Sequence, residues 1–301
     1  MKMTVCIASY NRADYLCEAI ESVLNQTFPA SEIVIYDNGS KLEVYDKISK
    51  YLSKGVRWVG SEKNNSAIWN FRRAINNTDS EFVMILHDDD KLCNDFIEKQ
   101  ISFLNKNPDI GAVSCNGHII NEKSLRTGAY VREGFVDKGP EIYESGLSVA
   151  LKYASDSCIP FSPTVYRTNI IKQVDFRDEY SKVVDAVLFC DLASLGKLAY
   201  QSLPLYECRV HANQDSSVFS DEILNKLEIF FLNLSISSSA ELNILRNLLK
   251  KQKTNRILHY VFSKKFNLKN LKLLVSIDFD FFVAISIVML TIVKKIKRIF
   301  K

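Results

Sequence analysis

Short, uninterrupted apolar runs alternate along the first part of the chain with longer segments whose apolar positions recur every three or four residues. Thr4-Val5-Cys6-Ile7-Ala8 is such a run, and Tyr15, Leu16, Ala19, Ile20, Val23 and Leu24 follow it at helical spacing. Ile33-Val34-Ile35-Tyr36 stops in the turn-forming Asp37-Asn38-Gly39-Ser40. Val56-Arg57-Trp58-Val59 is a third run, ahead of a helical pattern through Phe71 and Ile75, and Phe82-Val83-Met84-Ile85-Leu86 is a fourth. A strand that is apolar at nearly every position has no solvent face and belongs in a sheet covered on both sides. The alternation predicts an α/β fold: a Rossmann-like, mostly parallel sheet flanked by helices, built from right-handed βαβ units.

The pattern loosens between Ile110 and Val165. Gly111-Ala112-Val113-Ser114-Cys115 reads as a strand, and the polar stretch through Gly128, Gly134 and Gly139 reads as a mobile loop. A helix is predicted through Val183, Val187, Leu188 and Leu192, ending near Gly196. Lys197-Leu198-Ala199-Tyr200 and Leu205-Tyr206-Glu207-Cys208 read as two short strands, and residues beyond about Asp221 as a helical extension.

Composition narrows the class. The chain has 301 residues, 47% hydrophobic and 25% charged, which suits one large globular domain with an appendage. Lys plus Arg number 39 against 35 Asp plus Glu, and a net charge of +4 is too small to imply a nucleic-acid partner. Seven cysteines, an odd number without a C-x-x-C pair, argue for reduced thiols rather than a disulfide or zinc framework. The N-terminus lacks the apolar length and cleavage site of a signal peptide, so a cytoplasmic location is expected.

The most informative stretch is Met84-Ile85-Leu86-His87-Asp88-Asp89-Asp90, where a buried strand ends in three consecutive carboxylates. In an open α/β sheet, ligands bind outside the carboxyl ends of the strands. Carboxylates gathered there call for a positive partner, and a divalent cation serving a phosphate is the natural one. The plainer reading is a solvated acidic turn capping a helix that begins near Asn94.

Four motifs in order bring in a resemblance over roughly the first 215 residues. They are Ile7-Ala8-Ser9-Tyr10-Asn11-Arg12, the run from Ile33 to Ser40, the acidic triplet, and Asp185 followed by Gly196 and Tyr206-Glu207-Cys208-Arg209-Val210-His211. Together they resemble the family 2 glycosyltransferases of the GT-A fold, which transfer a sugar from a nucleotide diphosphate with inversion. Three positions depart from that pattern. Asn38 replaces the second Asp of Asp-Asp-Gly-Ser, Asn64-Asn65-Ser66 stands for Asn-x-Gly, and His87 takes the place of the first Asp of D-x-D.

The resemblance implies nucleotide contacts from Ala8, Tyr10, Arg12, Asp37, Asn70 and Asp88, with Tyr10 stacking on the base and Asp37 accepting a ring N–H. It implies Mg²⁺ or Mn²⁺ held among Asp88, Asp89, Asp90 and His211. On the family register Asp89 is the ligand and Asp88 lies nearer the ribose, and a D-x-D reading of Asp88 and Asp90 is the alternative. Asp185 is the implied general base, with Asp175, Asp178 and Asp191 as competitors, while Arg72 and Arg73 read as a solvated helix face. The stretch through Pro160, Phe161 and Pro163 reads either as a stiff wall for the acceptor sugar or as a simple turn.

The implied domains are a GT-A catalytic domain over 1–215, with a nucleotide-sugar half (1–110) and an acceptor half (111–215), a helical extension over 216–270, and a membrane-associating tail over 271–301. The implied activity is inverting, metal-dependent transfer from a nucleotide-sugar, by resemblance a UDP-sugar, to a saccharide acceptor in polysaccharide biosynthesis. The acceptor is expected to be lipid-linked, for example to polyprenyl diphosphate. Two alternatives stand beside it. A nucleotidyltransferase would need a Gly-rich phosphate loop that Ser9-Tyr10-Asn11-Arg12 does not provide. An inactive nucleotide- or saccharide-binding scaffold would have no use for both the acidic triplet and Asp185.

The uncharged run at 281–293 is followed by Lys294, Lys295, Lys297, Arg298 and Lys301. At ~1.5 Å per residue such a run extends about 20 Å as a helix, short of the roughly 30 Å hydrocarbon core. The tail is therefore expected to lie in the interface, peripherally on the inner face of the cytoplasmic membrane, its basic cluster contributing roughly 1 kcal/mol per residue near anionic lipid. Removing residues from Phe281 onward should release the protein from anionic vesicles in a sedimentation assay and preserve donor hydrolysis. Loss of the fold on truncation would instead mark the tail as a packed terminal helix.

Overall fold

Every residue of β1 (Met3–Ser9) is buried except the partly buried Ala8, so the strand runs through the middle of the molecule. Its neighbours β2 (Glu32–Asp37) and β4 (Phe82–His87) pair with it in parallel on either side. Side chains alternate between the two faces of such a strand, and each set meets its own layer. Met3, Val5 and Ile7 join one core with Leu16, Ala19, Ile20 and Val23 of α1 (Ala13–Leu24), Val44 and Ile48 of α2 (Leu42–Ile48), and β3 (Val56–Val59). Cys6, on the other face, lies against Ala74 and Thr78 at the end of α3 (Ala67–Asn76). The Ser66 side chain caps α3 by accepting the Trp69 N–H.

Beyond β4 come β5 (Lys91–Leu92), α4 (Phe96–Lys106), β6 (Ile110–Ile120), β7 (Arg126–Tyr130), β8 (Glu141–Tyr143) and α5 (Gly146–Ala154). They are followed by β9 (Val165–Arg167), α6 (Thr168–Ile171), α7 (Val184–Leu195) and β10 (Lys197–Arg209), then α8 (Asp221–Leu232) and α9 (Ser239–Ser263). The computed structural model describes residues 2–155, 158–212, 220–234 and 238–263, with backbone alone at 221 and 255–263. The expected membrane tail, including the run at 281–293, lies outside the described residues. No described helix is long and apolar enough to cross a membrane. The chain divides into one compact unit, Met1–Leu245, and a second, Arg246–Lys301.

The sheet runs in the order β3-β2-β1-β4-β9-β6-β10-β5, with β7 added to β6 and β8 to β10. It is parallel through its first four strands. From there it becomes mixed, because β9 is antiparallel to both β4 and β6, and β10 returns parallel to β6. Two local expectations change. The pair of short strands expected near 197–208 is the single strand β10, whose register shifts around Pro204, a residue with no N–H for the ladder. The loosely patterned stretch after Ile110 contains the eleven-residue strand β6, and Gly128 lies within its hairpin partner β7. All seven cysteines are free.

The turn after β2 depends on Gly39, at φ 82°. A Cβ there would lie 2.5 Å from the Lys63 carbonyl carbon, a backbone atom that cannot step aside. Gly39→Ala should therefore lower stability by about 2 kcal/mol, from left-handed strain plus the clash, read as a fall in the urea unfolding midpoint.

Candidate active site

Parallel pairing places the carboxyl ends of β1, β2 and β4 side by side, with Ser9 opposite Asp37 and Ala8 opposite His87. The loops leaving these ends are bonded to one another. The Asp88 N–H reaches the Ala8 carbonyl (3.2 Å), and the Tyr10 N–H reaches Asp88 Oδ2 (2.9 Å). Asn11 adopts φ 55°, a conformation asparagine tolerates better than most residues, and there its N–H meets Ser40 Oγ while its Oδ1 accepts the Lys41 N–H. The bend delivers Arg12 to the acidic residues, Nη1 lying 3.0 Å from Asp88 Oδ1 and 3.4 Å from Asp89 Oδ2.

The acidic triplet is not a solvated turn. Asp88, Asp89 and Asp90 are 2, 6 and 4% exposed. The helix that follows starts at Phe96, and its cap residue Asp95 makes no side-chain capping bond. Arg209, fully buried at the end of β10, organises the triplet from the far side. Its N–H donates to Asp90 Oδ1 (3.1 Å) and its Nε to the Asp89 carbonyl (2.8 Å), while Nη2 pairs with Glu18 (2.9 Å) over the Tyr15 ring. His211 Nε2 lies 3.0 Å from Asp89 Oδ2.

These surroundings drive the three carboxyls apart in acidity. Burial, reinforced by the charge on Asp89, pushes Asp88 up to about 6 against the pull of Arg12 and the Tyr10 N–H. Asp90 is pushed up to about 7 by burial and Asp89, against hydrogen bonds from the Arg209 N–H and Ser162. Burial also works against the ionised form of Asp89, but His87, His211 and Arg12 together outweigh it and hold this carboxyl below its ordinary value. Asp89 is the member that carries the negative charge.

Among the described residues, the ligand-type atoms that gather are those of His87, Asp89 and Asp90, all within 4.8 Å of one another. Two carboxylates and an imidazole form a donor set that suits a divalent cation, so the residues fit the metal the resemblance implies. Asp88 is turned instead toward Arg12 and the Tyr10 N–H, and His211 is bonded to Asp89. His87, a departure from the family pattern in sequence, thus enters the cluster in space.

On the other side of these strand ends, Asp37 Oδ2 accepts the N–H groups of Gly39 (3.0 Å) and Ser40 (2.9 Å), while its buried Oδ1 has no hydrogen-bond partner. Asn70 is buried, its Nδ2 donating to the Tyr36 carbonyl (2.7 Å) and its Oδ1 unpartnered. Tyr10 is 41% exposed and leaves its ring available. Arg72 and Arg73 do not form the solvated face expected of them. Arg73 lies over the Trp69 ring (4.7 Å) and bonds the carbonyls of Asp37 (3.0 Å) and Val59 (2.8 Å), whereas Arg72 reaches Asp175, Asp178 and the Phe176 carbonyl.

Asp185 is partly buried in the first turn of α7. Tyr153 of α5 donates to its Oδ2 (3.2 Å). Burial pushes its carboxyl up to about 6, against hydrogen bonds from the Ala186 N–H and Tyr153 and the charge of His87. The competing carboxylates Asp175 and Asp178 are paired with Arg72, and Asp191 with Arg177. Phe161 is buried against His87 (5.7 Å), Phe71 (5.1 Å) and Phe189 of α7 (6.4 Å), which makes it an anchor of the core rather than a free wall. A cavity of about 600 Å³ lined by Ser80, Arg167 and Lys172 opens at the opposite end of β4, away from the acidic centre, so cavity volume does not locate this site.

The sequence model described as glycosyl transferase family 2 matches residues 4–172, more than half of the chain. The chain belongs to glycosyl transferase family 2. It is 27% identical over 226 residues to an uncharacterized glycosyltransferase of Haemophilus influenzae, an overlap covering 73% of this chain and 69% of that protein. An uncharacterized glycosyltransferase of Rickettsia felis is 28% identical over 273 residues, with 82% of this chain covering 42% of the relative's length. The structure of S. aureus TarS 1-349 in complex with UDP-GlcNAc superposes with a TM-score of 0.68 at 19% identity, covering 90% of this chain and 77–78% of that protein across its liganded forms. That likeness shows a shared GT-A fold.

In this family 2 glycosyltransferase, several residues that build the site escaped the sequence reading. Arg209 belongs to the motif Tyr206-Glu207-Cys208-Arg209-Val210-His211, but nothing in the sequence marks it as buried. Ser162, which accepts the His87 N–H (3.1 Å), and Tyr153 carry no sequence signal at all. Because the folded state binds the Asp90 proton more tightly than the unfolded chain, this group stabilises the fold below about pH 4, and that contribution is lost as pH rises toward about 7. Asp90→Asn should therefore gain stability relative to the wild type between pH 4 and 7 in urea titrations with chelator present. A difference that stays flat would show that Asp90 is not held protonated.

Proposed function

We propose that this family 2 glycosyltransferase transfers a sugar with inversion from a UDP-sugar to a saccharide acceptor, with a divalent cation at His87, Asp89 and Asp90. The observation that carries the reading is the unpaired Asp37 Oδ1, buried at the same strand ends as that cluster. A buried acceptor without a partner costs about 1–3 kcal/mol, which a ring N–H of a bound uracil would recover. The exposed Tyr10 ring supplies a stacking face beside it. That TarS is known in complex with UDP and with UDP-GlcNAc supports a nucleotide-sugar donor of this kind.

A bound cation at the cluster supplies charge to stabilise the departing diphosphate, and an imidazole among its ligands suits Mn²⁺ better than Mg²⁺. Asp89, ionised beside His211 and Arg12, provides the negative charge that holds it. Asp185 takes the proton of the acceptor hydroxyl as that oxygen attacks the anomeric carbon. A carboxyl near 6 is ionised at neutral pH yet basic enough for the task. The basic cluster after the run at 281–293 supports an acceptor presented at the inner face of the cytoplasmic membrane, as a lipid-linked saccharide would be.

Asp185→Asn should lower sugar transfer about a thousand-fold while UDP binding in the presence of Mn²⁺, followed by calorimetry, persists. Transfer should be sought first with UDP-GlcNAc and then across a panel of nucleotide-sugars. Undiminished transfer by the variant would remove Asp185 from the role of base.

A further inference from the structure

We infer that Tyr153 is a positioning residue for Asp185: its hydroxyl holds the carboxylate while Asp185 is ionised and is shared with the Ile159 carbonyl once Asp185 has taken the acceptor's proton. The inference rests on Asp185 being the base, as proposed above. Tyr153 is the penultimate residue of α5, and α5 packs beside α7 so that the phenol meets the first turn of α7. Its oxygen lies 3.2 Å from Asp185 Oδ2 and 3.3 Å from the Ile159 carbonyl oxygen. The ring is steadied by Phe231 of α8, with centroids 6.4 Å apart.

A phenol has one proton, and the Asp185 carboxylate and the Ile159 carbonyl both lie within its hydrogen-bond reach. An ionised carboxylate makes roughly twice as strong a hydrogen bond as a neutral carbonyl, so the proton points to Asp185 before the reaction. Protonation of Asp185 removes that advantage and leaves the carbonyl as an equal competitor. The hydroxyl thus holds the carboxylate in one orientation as a base, and the Ile159 carbonyl keeps it from being left unsatisfied afterwards. No covalent bond of Tyr153 changes, and its proton remains on its oxygen throughout.

Other groups act on Asp185 as well. The N–H groups of Asp185 and Ala186, at the start of α7, favour its ionised form, as does the charge of His87 at the end of β4. Among the described residues, Cys158, in the loop after α5, and Tyr166 of β9 also feel the charge of Asp185. These groups are separate from the Tyr153 hydroxyl, and the Asp185 midpoint is the readout that responds to the bond Tyr153 makes to its carboxylate.

The test is a pH titration of the Asp185 carboxyl carbon by NMR in the full chain, its resonance assigned by its disappearance in Asp185→Asn. Tyr153→Phe should move the midpoint upward by about one pH unit, the size expected for a lost hydrogen bond to a charged group. A fluorinated tyrosine at position 153, equal in shape but a stronger donor, should move it downward, and this variant decides the matter if Tyr153→Phe does not fold. A midpoint unmoved in the folded variants overturns the role of Tyr153. Transfer by Asp185→Asn is a separate readout: its collapse with an unmoved midpoint removes Tyr153 alone, and its persistence removes the base.

Discussion

Three consecutive carboxylates can end a buried strand only where positive charge and hydrogen-bond donors enclose them. Two like charges about 4 Å apart repel by roughly 4 kcal/mol at the effective dielectric of a protein surface, and burial adds a desolvation cost for each. This chain meets that cost from three directions. Arg12 bridges Asp88 and Asp89 from the first loop, His211 faces Asp89, and Arg209 donates to Asp90 and to the Asp89 backbone from the last long strand. The remaining repulsion is relieved by proton uptake, with Asp88 and Asp90 held up near neutrality while Asp89 stays ionised.

That arrangement draws on both halves of the sheet. The parallel half supplies the strand ends, the turn at Asp37 and the acidic residues, and the mixed half supplies Arg209 and His211. β10 reaches the acidic centre through β5, the short strand that directly follows the triplet and pairs with Tyr206 and Glu207. The halves themselves are joined by β9, which pairs with β4 on one side and β6 on the other, and the β5–β10 pairing brings the chain leaving the triplet back against the strand that carries Arg209.

A second junction links the acidic centre to Asp185. The His87 ring stacks on Phe71 (5.8 Å) and packs against Phe161, which in turn meets Phe176 and Phe189. Ser162, next to Phe161, accepts the His87 N–H and bonds the Asp90 carboxyl. One side of His87 thus belongs to the ligand cluster and the other to an apolar layer that α7 shares. The geometry between the cluster and Asp185 is set by aromatic packing as well as by hydrogen bonds.

The amino-acid order alone determined the strands and helices of the first half, because runs apolar at every position and helical spacing report burial that is local to each segment. It also determined that a buried strand ends in acid and that a turn follows Tyr36, since both are consecutive residues. Tertiary structure decided the rest. The direction of pairing at β9, the fusion of two expected strands into β10 and the diversion of Arg72 and Arg73 into hydrogen bonds leave no periodic trace. The contact between Arg209 and Asp89 spans 120 positions, and that between Tyr153 and Asp185 spans 32. A side chain's charge is written in its own residue, but its burial and its partner belong to whatever the folded chain brings against it.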